Sequence, residues 1–203
     1  MPHMYGFLLP LLLGFGFDLA SAFTTAFSRR WGKSRGEWIT FVLRNIFGIP
    51  LWVVGLGYAV HIPSPFVFRS FGMIQALGWL LFGIGAAVQL FAITMLRLRA
   101  AKPSVDDELV ARGVYAHIRH PIYAGLLLEF VALILVKPRQ TVMLCVALGL
   151  VWVWAQARLE EVDLLQRMPA YGEYMKRVPR FFPRLSSPGD KDEKLPCGTN
   201  RNS

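Results

Sequence analysis

Charged residues and cysteines are scarce in this chain of 203 residues. Only 17% of the residues are charged, 54% are hydrophobic, and the mean hydropathy is +0.42. This balance excludes a disordered polar chain and argues against an ordinary soluble domain. The two cysteines lie in different surroundings, Cys145 in an apolar stretch and Cys197 in a polar tail, which argues against a disulfide framework.

The N-terminus lacks the pattern of a secretory signal peptide. Residues 1–5 contain no Lys or Arg, and the apolar run continues to Phe27 without a clear small-residue cleavage site. We therefore interpret this run as a retained membrane span. The polar stretch 186–203 lacks the apolar residues of a core, so we predict a disordered tail there and a single membrane domain over residues 1–185.

Five apolar segments indicate an all-α protein that spans a membrane several times, with about five helices. The first three segments are long enough to cross a bilayer with some tilt, and the fourth, with 16 residues, is marginal. The predicted segments are Tyr5 to Phe27, Ile39 to Ile62, Phe71 to Leu96, Pro121 to Val136 and Thr141 to Ala157.

The cations of the chain are unevenly distributed around these segments. If all five cross the membrane, 18 of the 22 Lys and Arg residues fall on one side, and Arg44 stays within a span. The positive-inside rule then predicts an N-terminus outside and a cytoplasmic C-terminus. The net charge of +9 is therefore a topology signal, and we expect contact with membrane lipid and no nucleic-acid partner.

Two polar clusters are predicted to meet at the cytoplasmic mouth of a helical hairpin. Residues 137–140 form a short link between the fourth and fifth segments, so these segments should pack antiparallel. Folding the chain about this link places His120 level with Ala157, and His117 level with Glu160. Polar groups at a membrane edge are candidates for function by default.

The first cluster, residues 113–125, resembles a helix start. Pro121 suits the first helical position, with His120 as its cap. Free N–H groups there, together with Arg119, should attract a carboxylate or phosphate. Tyr123 falls in the first turn, and Gly125 allows a ligand or a neighbouring helix to come close.

The second cluster combines the acidic stretch Glu160, Glu161 and Asp163 with an aromatic and basic stretch from Tyr171 to Phe182. It is also compatible with a solvated helix end and an interfacial belt, either of which could still form a lid. A metal site built from the histidines and glutamates of both clusters is disfavoured, because Arg119 lies between His117 and His120.

Three stretches in order resemble the superfamily of isoprenylcysteine carboxyl methyltransferases and phospholipid methyltransferases, integral membrane enzymes. They are LVARGVYAHIRHPIYAG at residues 109–125, the pair Glu160-Glu161 with Leu164, and YGEYMKRVPRFFP at residues 171–183. The resemblance covers residues 77–184. It implies S-adenosylmethionine bound by the hairpin and by a C-terminal cytoplasmic lid. The segment before Tyr171 is shorter than the family pattern by about one residue, which affects the register of the lid.

The resemblance also implies roles for individual residues. The residues implied in cofactor binding are Tyr115, His120, Pro121, Tyr123, Gly125 and Glu161. The residues implied as catalytic are Arg119 and Arg177, near the methyl acceptor, and Glu160, which would close the cofactor pocket with Glu161.

The expected reaction is methyl transfer to a lipophilic small molecule or to a prenylcysteine-like carboxylate. A carboxylate acceptor needs no general base, whereas an amine would need one such as His120 or a glutamate. Two alternatives stay open at this point. One is a sterol-reductase-like membrane oxidoreductase that uses NADPH, and the other is a non-catalytic membrane scaffold.

Overall fold

A computed structural model describes residues 5–97 and 102–184, and the predicted tail 186–203 lies outside these residues. Within the described part, the regular structure is helical apart from one isolated antiparallel bridge between Phe66 and Arg139. The helices are α1 (Leu8–Ser21), α2 (Thr24–Trp31), α3 (Lys33–Phe41), a π-helical turn (Val42–Gly48), α4 (Ile49–His61), α5 (Gly72–Leu96), a 3-10 turn (Gly113–Ala116), α6 (Pro121–Val136), α7 (Gln140–Arg167) and α8 (Tyr171–Arg177).

The architecture is that of a multi-span helical membrane protein, as predicted. Among the described residues, three helices are long and apolar enough to cross a membrane: the continuous helix Lys33–His61, α5 and α7. The pair α1 and α2 forms a fourth candidate if it counts as one broken span, and α6 is a shorter apolar helix of 16 residues.

Two predicted segments differ in shape from the helices that occupy them. The first segment is bent by 64° between α1 and α2. At this bend the N–H of Thr25 donates to Asp163 Oδ1 at 2.8 Å, so an open helix start is satisfied by α7. The fifth segment continues ten residues beyond Ala157 to Arg167, because the end of an apolar stretch is not the end of a helix. Arg158 to Arg167 are mostly good helix formers, and the helix ends just before Pro169.

Close backbone contacts hold the N-terminal helices together. A Cβ atom on Gly14 of α1 would lie 2.3 Å from the backbone nitrogen of Trp52, and one on Gly55 would lie 2.6 Å from that of Leu11. Small residues allow two membrane helices to approach in this way. The resulting core joins α1, α4, α6 and α7, with Phe15 stacked on Trp152 at a centroid distance of 4.8 Å.

The helices α5 and α6 pack along one another through a second pair of glycines. A Cβ atom on Gly85 would lie 2.6 Å from the carbonyl oxygen of Gly125. Gly125 therefore serves the approach of a neighbouring helix, which is one of the two uses that the sequence allowed.

This contact gives a prediction with an internal control in the same helix. Gly85→Ala should lower the free energy of unfolding by about 1–3 kcal/mol, because the new methyl group meets backbone and not a flexible side chain. Gly83→Ala should leave it unchanged or slightly higher, since nothing lies within 4 Å of a Cβ at Gly83. Thermal unfolding of both variants in detergent measures the difference, and equal midpoints would contradict the predicted packing.

Candidate active site

A cavity of about 550 Å³ opens where α6 begins and α7 ends. Its wall combines apolar side chains from several helices with a small number of charged and aromatic groups. The polar and aromatic residues of the wall that matter below are Asp18, Arg44, Tyr115, Arg119, His120, Tyr123, Trp152 and Glu160. A mostly apolar pocket of this size with a few convergent polar groups is typical of a small-molecule site.

The start of α6 carries the predicted cap and first residue, His120 and Pro121. The predicted free N–H groups are in part taken by the chain itself. The backbone N–H of Arg119 donates to the carbonyl oxygen of Pro179 at 2.9 Å, and that of His120 donates to the carbonyl oxygen of Arg180 at 3.0 Å. The segment after α8 therefore closes over this helix start as a lid, which we define as residues 178–182.

Glu161 joins the lid to the helix start through its carboxylate. Arg180 donates to both of its oxygens, from Nε at 2.9 Å and from Nη2 at 2.6 Å. His120 Nε2 lies 3.2 Å from Oε1, and Arg119 Nη1 lies 3.1 Å from the same oxygen. The Glu161 side chain is only 2% exposed, so these are buried, charge-assisted contacts.

The contact between His120 and Glu161 differs from the pairing predicted for the hairpin, which placed His120 level with Ala157. Glu161 lies one helical turn after Ala157. Side chains of a helix lean toward its N-terminus, and α7 begins at the far end of the hairpin. The carboxylate of Glu161 therefore reaches back toward the level of Ala157, where His120 lies.

Glu160 lines the cavity, and its two carboxylate oxygens differ in their hydrogen-bond partners. Oε1 accepts hydrogen bonds from Arg44 Nη2 at 2.5 Å, from the hydroxyl of Tyr123 at 2.7 Å and from Gln156 Nε2 at 3.2 Å. No hydrogen bond from the described residues reaches Oε2, and His120 Nδ1 lies 3.9 Å from it. The carboxylate is thus fixed through one oxygen, and the other stays available to a ligand.

Three buried tyrosines lie outside the membrane helices at the mouth of the cavity. Burial raises the pKa of the Tyr174 phenol to about 12, and it raises the pKa of Tyr115 and of Tyr171 further. All three hydroxyls are therefore neutral at physiological pH. Tyr174 donates to the carbonyl oxygen of Tyr115 at 2.5 Å, which ties α8 to the 3-10 turn.

A second polar network covers the mouth from the side of α2 and α3. Arg167 contacts Asp163, Asp107 and the carbonyl oxygen of Ser104, and the Ser104 hydroxyl donates to Glu37 Oε1 at 2.5 Å. The loop 102–112 is held by these contacts, and part of it forms the cavity wall.

The structure gathers most of the site residues predicted from the sequence, but not all of them at the cavity wall. The wall contains Tyr115, Arg119, His120, Pro121, Tyr123 and Glu160. Glu161 lies behind the wall, and Gly125 lies in the contact with α5. Arg177 is exposed at the end of α8, and Arg180 occupies the place beside Glu161. The assignment of these residues to catalysis or cofactor binding stays a prediction.

Sequence reasoning missed three charged residues of the site: Arg180, Arg44 and Asp18. Arg44 and Asp18 are charges within apolar segments, which is the signal that could have identified them. Arg180 gives no such signal among the many cations of the C-terminal segment.

A metal centre finds no support among these groups. Within residues 5–97 and 102–184, there is no group of three or more His, Cys, Asp and Glu residues that could hold a metal ion. His117, one of the two neighbouring histidines, is exposed.

Comparison with known proteins gives one family. Residues 73–173 match the family model described as phospholipid methyltransferase. A stretch of 82 residues is 35% identical to the cobalt-zinc-cadmium resistance protein CzcN of Cupriavidus metallidurans and to the nickel-cobalt-cadmium resistance protein NccN of Alcaligenes xylosoxydans xylosoxydans. It covers 40% of this chain and 38% of each relative. No solved structure matches the chain significantly.

Proposed function

Because residues 73–173 belong to the superfamily of membrane methyltransferases that includes the isoprenylcysteine carboxyl and phospholipid methyltransferases, we propose that this protein methylates a lipophilic acceptor with S-adenosylmethionine. The acceptor is a lipophilic small molecule or a prenylcysteine-like carboxylate. The distribution of cations around the spans supports a cytoplasmic position for the mouth of the cavity, with the N-terminus outside.

The observation that carries the proposal is the set of unpaired polar groups at the cavity wall. Arg119 Nε and the Tyr115 hydroxyl are buried and have no hydrogen-bond partner among the described residues. Glu160 Oε2 also receives no hydrogen bond from them. Buried polar groups are nearly always satisfied in a native protein, so the two unsatisfied buried groups, together with the free oxygen of the partly exposed Glu160, indicate a polar ligand.

The chemistry of these groups fits S-adenosylmethionine, which carries a carboxylate, an amino group and a sulfonium. Arg119 would hold the carboxylate. Glu160 would hold the positive part of the cofactor, with the faces of Tyr123 and Trp152 close by. The aliphatic residues of the wall would receive the apolar acceptor; they include Ile49, Ile93, Leu96, Leu109 and Leu126.

The cofactor supplies an electrophilic methyl group, and the residues of the chain supply position and charge. Glu161 orients the ring of His120 and holds Arg119 and Arg180 together at the helix start. The loop 102–112 forms part of the cavity wall, and the lid holds the start of α6 through its backbone. Methyl transfer depends mainly on the alignment of donor and acceptor, which a rigid hairpin under a fixed lid provides.

Binding of S-adenosylhomocysteine to the purified protein in detergent tests the proposal. We expect saturable binding of S-adenosylhomocysteine and none of NADPH. Glu160→Gln should weaken this binding at least about 10-fold, since a hydrogen bond to a charged group contributes about 1.5–3 kcal/mol. Glu173→Gln, which changes an exposed glutamate of α8, is the matched control.

The acceptor is identified by transfer of a labelled methyl group from the cofactor into extracts of total lipid and of small molecules. Folded wild-type protein that binds no S-adenosylhomocysteine would overturn the proposed function. Binding of NADPH in its place would favour an oxidoreductase.

A further inference from the structure

Arg44 is a cation inside a membrane-spanning helix that reaches the candidate active site from the N-terminal half of the chain. It belongs to the continuous helix Lys33–His61, and its side chain is 15% exposed. Its Nη2 contacts Glu160 at 2.5 Å, and its Nε lies 3.3 Å from the Ser21 hydroxyl and 3.8 Å from Asp18 Oδ1. One guanidinium thus faces two carboxylates from two other helices, α1 and α7.

The backbone around Arg44 departs from an α-helix. Residues Val42–Gly48 form a π-helical turn, a rare form that often occurs at functional sites. The turn packs tightly on α1, since a Cβ atom on Gly48 would lie 3.2 Å from the backbone nitrogen of Asp18. The packing of α1 against this helix places Asp18 and Ser21 beside Arg44.

The positive charge of Arg44 compensates the negative charge of the Glu160 carboxylate. An ionised carboxylate away from water is stable only with a compensating charge and hydrogen bonds. For Glu160, the short contact with Arg44 provides that charge, and Tyr123 and Gln156 donate to the same oxygen. With Oε1 saturated, the carboxylate cannot rotate without breaking three hydrogen bonds, and Oε2 stays directed away from them.

We propose that Arg44 is a positioning residue of the active site, which acts through Glu160 by keeping its carboxylate charged and in one orientation. This inference rests on the proposed function, because it assigns Glu160 to the cofactor. It also extends the site beyond residues 73–173, the part that matches the family model, into the helices before it.

The test compares five variants by their dissociation constant for S-adenosylhomocysteine and by their thermal unfolding without ligand. Arg44→Gln should weaken binding about 10-fold, and Arg44→Lys, which keeps the charge, should stay within about 3-fold of the wild type. In a Glu160→Gln background, Arg44→Gln should cause no further loss, because the two residues act as one unit. Arg35→Gln, an exposed arginine in the same helix, is the matched control.

A purely structural role for Arg44 would give a different pattern. Its loss would then lower the affinity in the Glu160→Gln background as much as in the wild type, and this additivity would overturn the inference. Unchanged affinity of folded Arg44→Gln would overturn it as well. Wild-type protein that fails to bind S-adenosylhomocysteine would instead contradict the proposed function itself.

Arg44→Gln alone leaves Glu160 without its cation and could fail to fold. In that case the double variant decides, because the uncompensated carboxylate at Glu160 is then absent. It should fold and bind S-adenosylhomocysteine as weakly as Glu160→Gln does. A double variant that also fails to fold, or binds more than about 3-fold more weakly than Glu160→Gln, would overturn the inference.

Discussion

Glu161→Gln is expected to lower the affinity for S-adenosylhomocysteine about 100-fold, and to lower the thermal stability as well. The physical reason is the set of polar groups around this carboxylate, two of which are arginines. Arg119, Arg180 and His120 all contact it within 3.2 Å. A glutamine keeps one acceptor but loses the charge, and its amide group would face a donor of Arg180.

The nearly buried Arg119 and the partly exposed Arg180 would then lack their counter-ion, and the lid would lose its ion pair with α7. Removal of one partner from a buried pair costs about 3–5 kcal/mol, because the remaining charge is left uncompensated. The Glu173→Gln variant provides the comparison, since that exposed glutamate contacts only Lys176 among the described side chains. Equal affinities for Glu161→Gln and Glu173→Gln would show that Glu161 does not hold the site together.

The start of α6 could be predicted from the sequence because local chemistry determines it. Proline lacks the N–H that the first helical position leaves unsatisfied, so Pro121 at that position follows from the tripeptide alone. The hairpin of α6 and α7 followed equally directly, since a link of a few residues forces two apolar helices to pack antiparallel. These two local features placed His120 near the glutamate pair without any long-range information.

The contacts of Arg44 could not be predicted in the same way. Arg44 and Glu160 are 116 residues apart, and no periodic pattern connects them. The direction of the arginine depends on a π-helical turn and on the contact of Gly48 with α1, which no sequence pattern in the chain announces. Gly14 and Gly48 are points of close packing between α1 and the helix Lys33–His61. Only the structure shows that this packing brings Asp18 and Arg44 to the cavity.

The length of α7 could not be predicted from hydropathy, because hydropathy marks the end of an apolar stretch and not the end of a helix. The apolar stretch ends near Ala157, but the helix continues and presents Glu160, Glu161 and Asp163 on rigid backbone. A membrane helix that extends into the aqueous phase gives its polar end the same rigidity as its apolar part. The acidic stretch is therefore part of a rigid helix end, and its carboxylates are fixed by arginines from the helix Lys33–His61, from the start of α6, from α7 itself and from the lid.

The second large effect is expected at the lid. Arg180 and Arg177, which lie three residues apart, should respond differently to substitution. Arg180→Gln should weaken binding of S-adenosylhomocysteine about 10-fold to 30-fold, because the bidentate pair with Glu161 is lost. Hydrogen bonding to Glu161 also raises the pKa of Arg180, which is the sign of a cation stabilised by its partner. The loss should be smaller than for Glu161→Gln, since the backbone bonds of residues 179 and 180 to the helix start remain.

Arg177→Gln is the matched control, with the same change in charge on the same segment. Because Arg177 is exposed at the end of α8, its replacement should change the affinity less than about 2-fold. Cleavage by chymotrypsin after Phe181 gives a second measurement, and it should become faster in Arg180→Gln only. The family resemblance assigned Arg177 to the site. A larger loss of affinity for Arg177→Gln than for Arg180→Gln would therefore mean that the lid is shifted along the chain by about one turn relative to the structure.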